Sequence, residues 1–241
     1  MIKRLAKTTL GKLGYEIHKS SLNGVAGFDP SYLVRICQPK TVIDVGVGYG
    51  TYPLYQAFPQ AKFVLVEPLR EYDVAIGEIA GKYDCDILYK AVSNAPGTRE
   101  MIVDTMEPER SSFADRTPLT TSGNRLEKRL IEVTTLDTIF ADAQGWKKPI
   151  LLKLDTEGHE LEALQGSKSL LRETDTVIAE VSIAKRFEQG YEFEDLILFM
   201  KEHGFYLSTF LGITQASGEL RPRFADIVFQ HRPQPDPATP G

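Results

Sequence analysis

The sequence predicts an α/β fold built on a mainly parallel sheet, and three observations carry that reading. Apolar runs rich in β-branched residues alternate with segments of helical periodicity along most of the chain. The run Thr41-Val-Ile-Asp-Val45 leads through Gly46, Gly48 and Gly50 into Thr51–Phe58. Strand, glycine turn and helix in that order bring backbone and a helix N-terminus against a ligand's polar groups. Two late runs, Phe205–Phe210 and Phe224–Phe229, read as an antiparallel hairpin that closes the sheet.

The elements follow in order. Residues 20–40 hold a helix around Tyr32–Cys37, stopped by Pro39. Val42, Ile43 and Val45 form a strand buried on both faces, and Pro53 sits in the first turn of the helix after it. Phe63–Glu67 is the second strand, Glu71–Lys82 a helix and Ile87–Ser93 a third strand, followed by a turn at Asn94–Gly97. Arg99–Val103 and Leu130–Thr134 read as additional strands at an edge of the sheet. Between them, Asp104–Arg129 is polar and weakly periodic; it is either an ordinary surface loop or, through Ser111-Ser-Phe113, a segment that closes the site. Ile150–Leu154 and Thr176–Ser182 are the fourth and fifth strands, and Phe193–Gly204 is an amphipathic helix with Leu196, Ile197, Phe199 and Met200 on its apolar face. Three parts result: an N-terminal helical segment over 1–39, a domain over 40–230, and a proline-punctuated, disordered tail over 231–241.

Composition excludes several classes of function. Apolar content of 42% with 25% charged residues is that of a soluble globular domain. A formal net charge of −5 argues against general nucleic-acid binding. Cys37 and Cys85 fit neither a zinc spacing nor a disulfide framework, which suits a reducing, cytoplasmic setting. No apolar run nears the ~18 residues that span a bilayer. The basic segment 1–19 has helical apolar spacing at Ile2, Leu5, Thr9 and Leu13; it either makes weak contact with an anionic membrane surface or, the blander reading, packs on its own domain.

Two stretches carry chemistry. Glu67 ends the second strand about twenty residues after Gly46, where a carboxylate accepts hydrogen bonds from vicinal ribose hydroxyls. The glycine spacing is G-x-G-x-G rather than the dinucleotide G-x-G-x-x-G, and Asp44 suits an ammonium or sulfonium better than a pyrophosphate. The pattern resembles motif I of the Rossmann-like S-adenosylmethionine-dependent methyltransferases. That resemblance places Asp44 near the methionine end, Gly46 and Gly48 along the cofactor, and Glu67 on the ribose. The second stretch is Leu152-Lys-Leu-Asp-Thr-Glu-Gly-His-Glu160, where Asp155, Glu157 and His159 crowd a strand's carboxyl end. Three ionisable groups there supply a general base or a substrate anchor. Each also has a plainer reading: Asp155 as a helix cap, Glu157 at a helix dipole, His159 as a surface histidine. Lys153 in a buried strand demands a carboxylate partner, Asp44 or Glu180.

Together with Val42-Ile-Asp-Val-Gly46, Val66-Glu-Pro68, Thr135-Leu-Asp137 and Leu164-Gln-Gly166, this stretch resembles the FkbM family of S-adenosylmethionine-dependent methyltransferases over most of residues 40–230. The resemblance implies a Rossmann-like methyltransferase fold with helices on both faces and seven strands, five parallel plus a final antiparallel hairpin. It also implies O-methylation of a hydroxyl on a sugar, glycolipid or natural product. The family's motif I often reads G-A-N-x-G, and Gly46-Val-Gly-Tyr-Gly50 departs from it at the Asn. In the transfer so implied, His159 or Asp155 takes the acceptor's proton and Glu157 orients substrate or His159. Carboxylates here could hold Mg²⁺ with a diol, but their spacing defines no ligand set and no metal site is assigned. Two rivals stand beside this reading. An NAD-dependent oxidoreductase is disfavoured by the glycine spacing. A non-catalytic interaction protein on the same fold would be favoured by a blocked crevice or by Asp44 turned away from it.

Overall fold

The computed structural model describes residues 30–118, 125–143, 145–216 and 218–231. The basic segment 1–19, the tail after His231 and the centre of the Asp104–Arg129 loop lie outside the described residues. A seven-stranded sheet runs through the domain in the order β3-β2-β1-β7-β8-β10-β9. Its strands are β1 (Thr41–Val45), β2 (Lys62–Val66), β3 (Cys85–Leu88), β7 (Ile150–Leu154), β8 (Thr176–Ser182), β9 (Phe205–Thr214) and β10 (Phe224–His231). The first five are mutually parallel, while β10 is antiparallel to both β8 and β9. The closing hairpin thus forms where the two late apolar runs predict it.

Alternation along each strand sorts side chains to opposite faces, and helices cover both. Ile43, Val45, Leu152 and Leu154 pack on the face covered by α5 (Glu160–Gln165), α6 (Lys168–Glu173) and α7 (Phe193–Glu202). Val42, Phe63, Leu65 and Leu151 pack on the other, beneath α1 (Pro30–Ile36), α2 (Tyr52–Ala57) and α3 (Asp73–Ala80). Pro53 occupies the first turn of α2, where its missing N–H leaves no bond unmade. A capping box between Glu192 and Asp195 starts α7. No helix among the described residues is long and apolar enough to cross a membrane.

The structure departs from the sequence reading in the middle of the chain. The expected third strand, 87–93, is two strands belonging to different sheets. β3 stays in the main sheet, whereas β4 (Ala91–Val92) pairs with β6 (Leu126–Thr134) in a separate sheet of order β4-β6-β5. β5 (Gly97–Asp104) runs antiparallel to β6. These segments therefore do not extend an edge of the main sheet; they form a second layer over its carboxyl end. The expected helix 71–82 begins as a 3-10 turn at Arg70–Tyr72 and becomes α3 only from Asp73. A short α4 (Leu136–Ala141), capped by the Thr135 hydroxyl, enters the chain before β7.

The sheet order reverses between β1 and β7, and here two backbones nearly touch. Gly46 has φ +74, and a Cβ on it would lie 1.7 Å from the Asp155 carbonyl oxygen. Only glycine meets both conditions. Gly46→Ala is therefore expected to destabilise the fold by more than about 3 kcal/mol, whereas Gly145→Ala, which meets no atom within 4 Å, should cost far less; urea denaturation of both variants makes the comparison.

Candidate active site

At that reversal point a cavity of about 430 Å³ opens at the carboxyl ends of the parallel strands. Gly48, Glu67 and Leu69 wall one end and Ile178, Glu180 and Asp226 the other, with Gly46 and Asp155 meeting between them. Met101 of β5 and Pro108, Ser111 and Phe113 of the polar loop form its cover. Ser111 and Phe113, left open in the sequence, thus belong to the site.

Glu67 is almost wholly buried and faces the glycine turn. Its Oε2 accepts from the Gly48 N–H at 3.0 Å and its Oε1 from the Leu69 N–H at 2.9 Å. Burial outweighs these bonds and pushes its carboxyl up to about 7. Gly48, at φ +52, supplies the left-handed turn that aims its N–H at this carboxylate.

Asp44 takes a different place from the one expected of a cofactor ligand. It is fully buried beneath the cavity rather than on its wall. The Tyr55 hydroxyl donates to its Oδ2 at 2.5 Å, and Lys153 Nζ lies 3.3 Å from its Oδ1. Lys153 also lies 3.4 Å from Asp155 Oδ2 and donates to the Gly46 carbonyl at 3.1 Å. The expected partner of Lys153 is therefore Asp44, joined by Asp155; Glu180 pairs with Arg186 instead. Burial alone would lower the Lys153 pKa, and the two carboxylates reverse that and hold it above its ordinary value.

The turn after β7 shows what each residue of the K-x-D-x-E-G-x-E run does. Glu160, not Asp155, caps it: its Oε1 accepts from the Thr156 N–H at 2.8 Å and the Gly158 N–H at 3.2 Å. Its Oε2 accepts from the Tyr191 hydroxyl at 2.8 Å. Gly158 has φ +91 with the Phe187 ring where its Cβ would be. Glu157 adopts φ +52, rare for a residue with a side chain. Its Oε2 is gripped by Arg116 at 2.9 Å and Arg186 at 2.6 Å, and its carbonyl accepts from the Ser112 hydroxyl at 2.7 Å. Glu157 thus joins this strained turn to the loop that covers the cavity, a role distinct from the helix-dipole reading.

His159 is buried, not a surface histidine. Its Nε2 meets Ser93 Oγ at 2.9 Å, its Nδ1 lies 3.6 Å from Glu162, and Phe113 lies on the ring at 4.9 Å. Burial first, then Arg99, lowers its pKa to about 4, so the ring is neutral near pH 7. Asp155 keeps a partly exposed carboxylate on the cavity wall.

Oxygens of Asp155, Glu157 and Glu180 lie within 4.8 Å of one another, a grouping able to hold a cation. The Arg186 guanidinium already bridges two of them, to Glu157 and at 2.5 Å to Glu180. Among the cavity residues that the sequence did not reveal, Asp226 bears most on the chemistry. Asp226 on β10 stands opposite Glu180 in register, and burial, with the Asp155 charge adding, pushes it up to about 6. The signal was present: an acid within Phe224-Ala-Asp-Ile-Val-Phe229 interrupts an apolar strand as Asp44 does in β1.

The Methyltransferase FkbM domain matches residues 44–207, which contain both chemical stretches. The chain belongs to the FkbM methyltransferase family. No curated protein matches it. Among solved structures, the FkbM methyltransferase of Methylobacillus flagellatus is similar at 14% identity and a TM-score of 0.49, covering 80% of this chain and 43% of that one. The chain thus spans less than half of that protein's length. Magnesium protoporphyrin IX methyltransferase of Synechocystis, solved with bound SAM, is similar at 13% identity and a TM-score of 0.47, covering 84% of this chain and 76% of that one.

Within this FkbM domain, Lys153 neutralises two carboxylates at once. Lys153→Met leaves Asp44 buried without its cation and is expected to cost about 3–5 kcal/mol in urea denaturation. Lys148→Met, which removes an exposed pair with Glu173, should change stability by less than about 1 kcal/mol.

Proposed function

We propose that the chain transfers a methyl group from S-adenosylmethionine to a hydroxyl of a small molecule or glycan, such as a sugar, glycolipid or natural product. The observation that carries this reading is the continuous cavity from Glu67, across the glycine turn, to Asp155 and Asp226. Its Glu67 end fits a ribose, because each carboxylate oxygen retains acceptor capacity beyond its one backbone N–H. Gly46 and Gly48 let backbone approach the cofactor without a side chain between. When bound, the sulfonium supplies an electrophilic methyl group, so this chain's residues have only to align the acceptor and receive its proton. The C–S bond breaks as the C–O bond forms, and the hydroxyl proton passes to a carboxylate.

Asp155 is better placed for that proton than His159, whose ring is fixed by Ser93 and covered by Phe113. Glu157 positions the covering loop, and His159 builds the wall beneath Phe113. A cytoplasmic setting belongs to the same proposal. One observation favours the rival, a non-catalytic protein on this fold: the Asp44 carboxylate is engaged by Tyr55 and Lys153 and does not reach the cavity. The open cavity beside it favours the enzyme.

The test is calorimetric titration with S-adenosylmethionine and, separately, NAD(H), followed by transfer of labelled methyl to a panel of hydroxyl acceptors. S-Adenosylmethionine alone should bind, and Asp155→Asn should lower kcat by 10²-fold or more with little change in cofactor affinity. Binding of NAD(H) in its place would revive the oxidoreductase reading. A pH series adds a check. Ribose hydroxyls donate to ionised Glu67, whose pKa in the free protein is about 7. Cofactor affinity should therefore fall as pH drops below about 7, by up to about tenfold per unit, and Glu67→Gln should flatten that slope while weakening binding.

A further inference from the structure

We infer that Asp226 is the residue that recognises the methyl acceptor, receiving a hydrogen bond from a hydroxyl or ammonium group and turning anionic acceptors away. The inference rests on the methyltransferase reading and adds the chemistry of its second substrate. Three neighbouring strands carry acids at one level of the sheet. Leu154 pairs with Ala179, which sets Asp155 beside Glu180, and Glu180 pairs with Asp226. All three line the cavity. The row leads away from Glu67: with strands ~4.8 Å apart, Asp226 stands about 10 Å beyond Asp155 at the backbone. The nucleoside end is fixed by Glu67, so this far end faces the acceptor.

The three acids differ in their partners. Lys153 answers Asp155 and Arg186 answers Glu180. The Asp226 carboxylate makes no hydrogen bond or ion pair with another described residue, although its strand neighbours Ala225, Ile227 and Val228 are all buried. A carboxylate kept partly desolvated with no hydrogen bond or close ion pair is costly. A ligand that donates to it removes that cost, whereas an acceptor without a donor leaves it unpaired. Discrimination on such grounds is strong, because the penalty falls on the site itself. A phosphate or carboxylate at this position meets like charge as well. Ile178, two residues before Glu180 on β8, supplies an apolar floor beside the carboxylate on which the carbon face of a ring can rest.

The experiment compares three probes on the full chain: methyl glucoside for hydroxyl donors, glucosamine for an ammonium, and glucose 6-phosphate for an anion. Each is offered with labelled S-adenosylmethionine, and each is also titrated calorimetrically into protein loaded with S-adenosylhomocysteine. Wild type should bind or methylate one of the donor probes at least tenfold better than the phosphate, and which donor leads tells hydroxyl from ammonium. Asp226→Asn should raise KM or Kd for the favoured probe tenfold or more and narrow the discrimination against the phosphate. Its affinity for S-adenosylmethionine should stay within about twofold, which excludes a merely misfolded site; Asp226→Glu should recover part of the preference. Unchanged probe selectivity in Asp226→Asn overturns the assignment. A wild type that binds S-adenosylmethionine yet neither binds nor methylates any probe overturns the assignment for hydroxyl- and ammonium-bearing hexoses while leaving the cofactor reading standing. Failure to bind S-adenosylmethionine removes the methyltransferase reading itself.

Discussion

The buried ammonium of Lys153 holds the site together. It ties Asp44 on β1 to Asp155 at the end of β7 and also donates to the Gly46 carbonyl. These are the two strands that flank the sheet's reversal, where the crevice of a doubly wound sheet opens. Removing a charge from water is tolerable only if fixed partners replace the lost hydration, and Lys153 has three. The same contact explains why Asp44 is not a cavity residue. Its carboxylate serves the framework, and the framework sets the distance between the glycine turn and the acids that follow β7.

From that anchor the remaining features follow in layers. The crossing of Gly46 and Asp155 backbones leaves no room for a Cβ, so the turn after β1 has one permitted shape. Beyond it, the turn after β7 is strained at Glu157 and held by Glu160 from below and two arginines from the side. Strain of that kind persists only where surrounding bonds over-determine the conformation. Here they do, and the result is a row of acids with graded partners: Asp155 shared with Lys153, Glu180 held by Arg186, Asp226 exposed to the cavity. The second sheet roofs this floor through Met101, and the loop from β5 adds Ser111 and Phe113.

Much of this was legible in the sequence because it is local. The interrupted apolar run, the glycines and the acid ending β2 lie within one strand-turn-helix-strand unit, so residue order alone places Gly46, Gly48 and Glu67 together. The K-x-D-x-E-G-x-E run was legible as a site but not in its parts. Whether an acid caps, pairs or faces solvent depends on partners far along the chain, such as Tyr191 for Glu160 and Arg186 for Glu157. The 87–93 segment failed for a related reason. A single apolar run gives no sign that its first half pairs with β2 and its second with β6, since strand pairing is decided by tertiary neighbours rather than propensity. Asp226 was missed because its meaning appears only when β10 is laid against β8.

In the function proposed above, the crevice fixed by Lys153 is a nucleoside cradle oriented from Glu67 toward Asp155. A crystal structure of the protein grown with S-adenosylhomocysteine tests it most directly. Ribose hydroxyls should lie within hydrogen-bond distance of Glu67, the backbone of the Gly46–Gly50 turn against the ligand, and the sulfur at the Asp155 end. A nucleoside bound away from Glu67, or lying in the reverse direction with its sulfur beside Glu67, would contradict it.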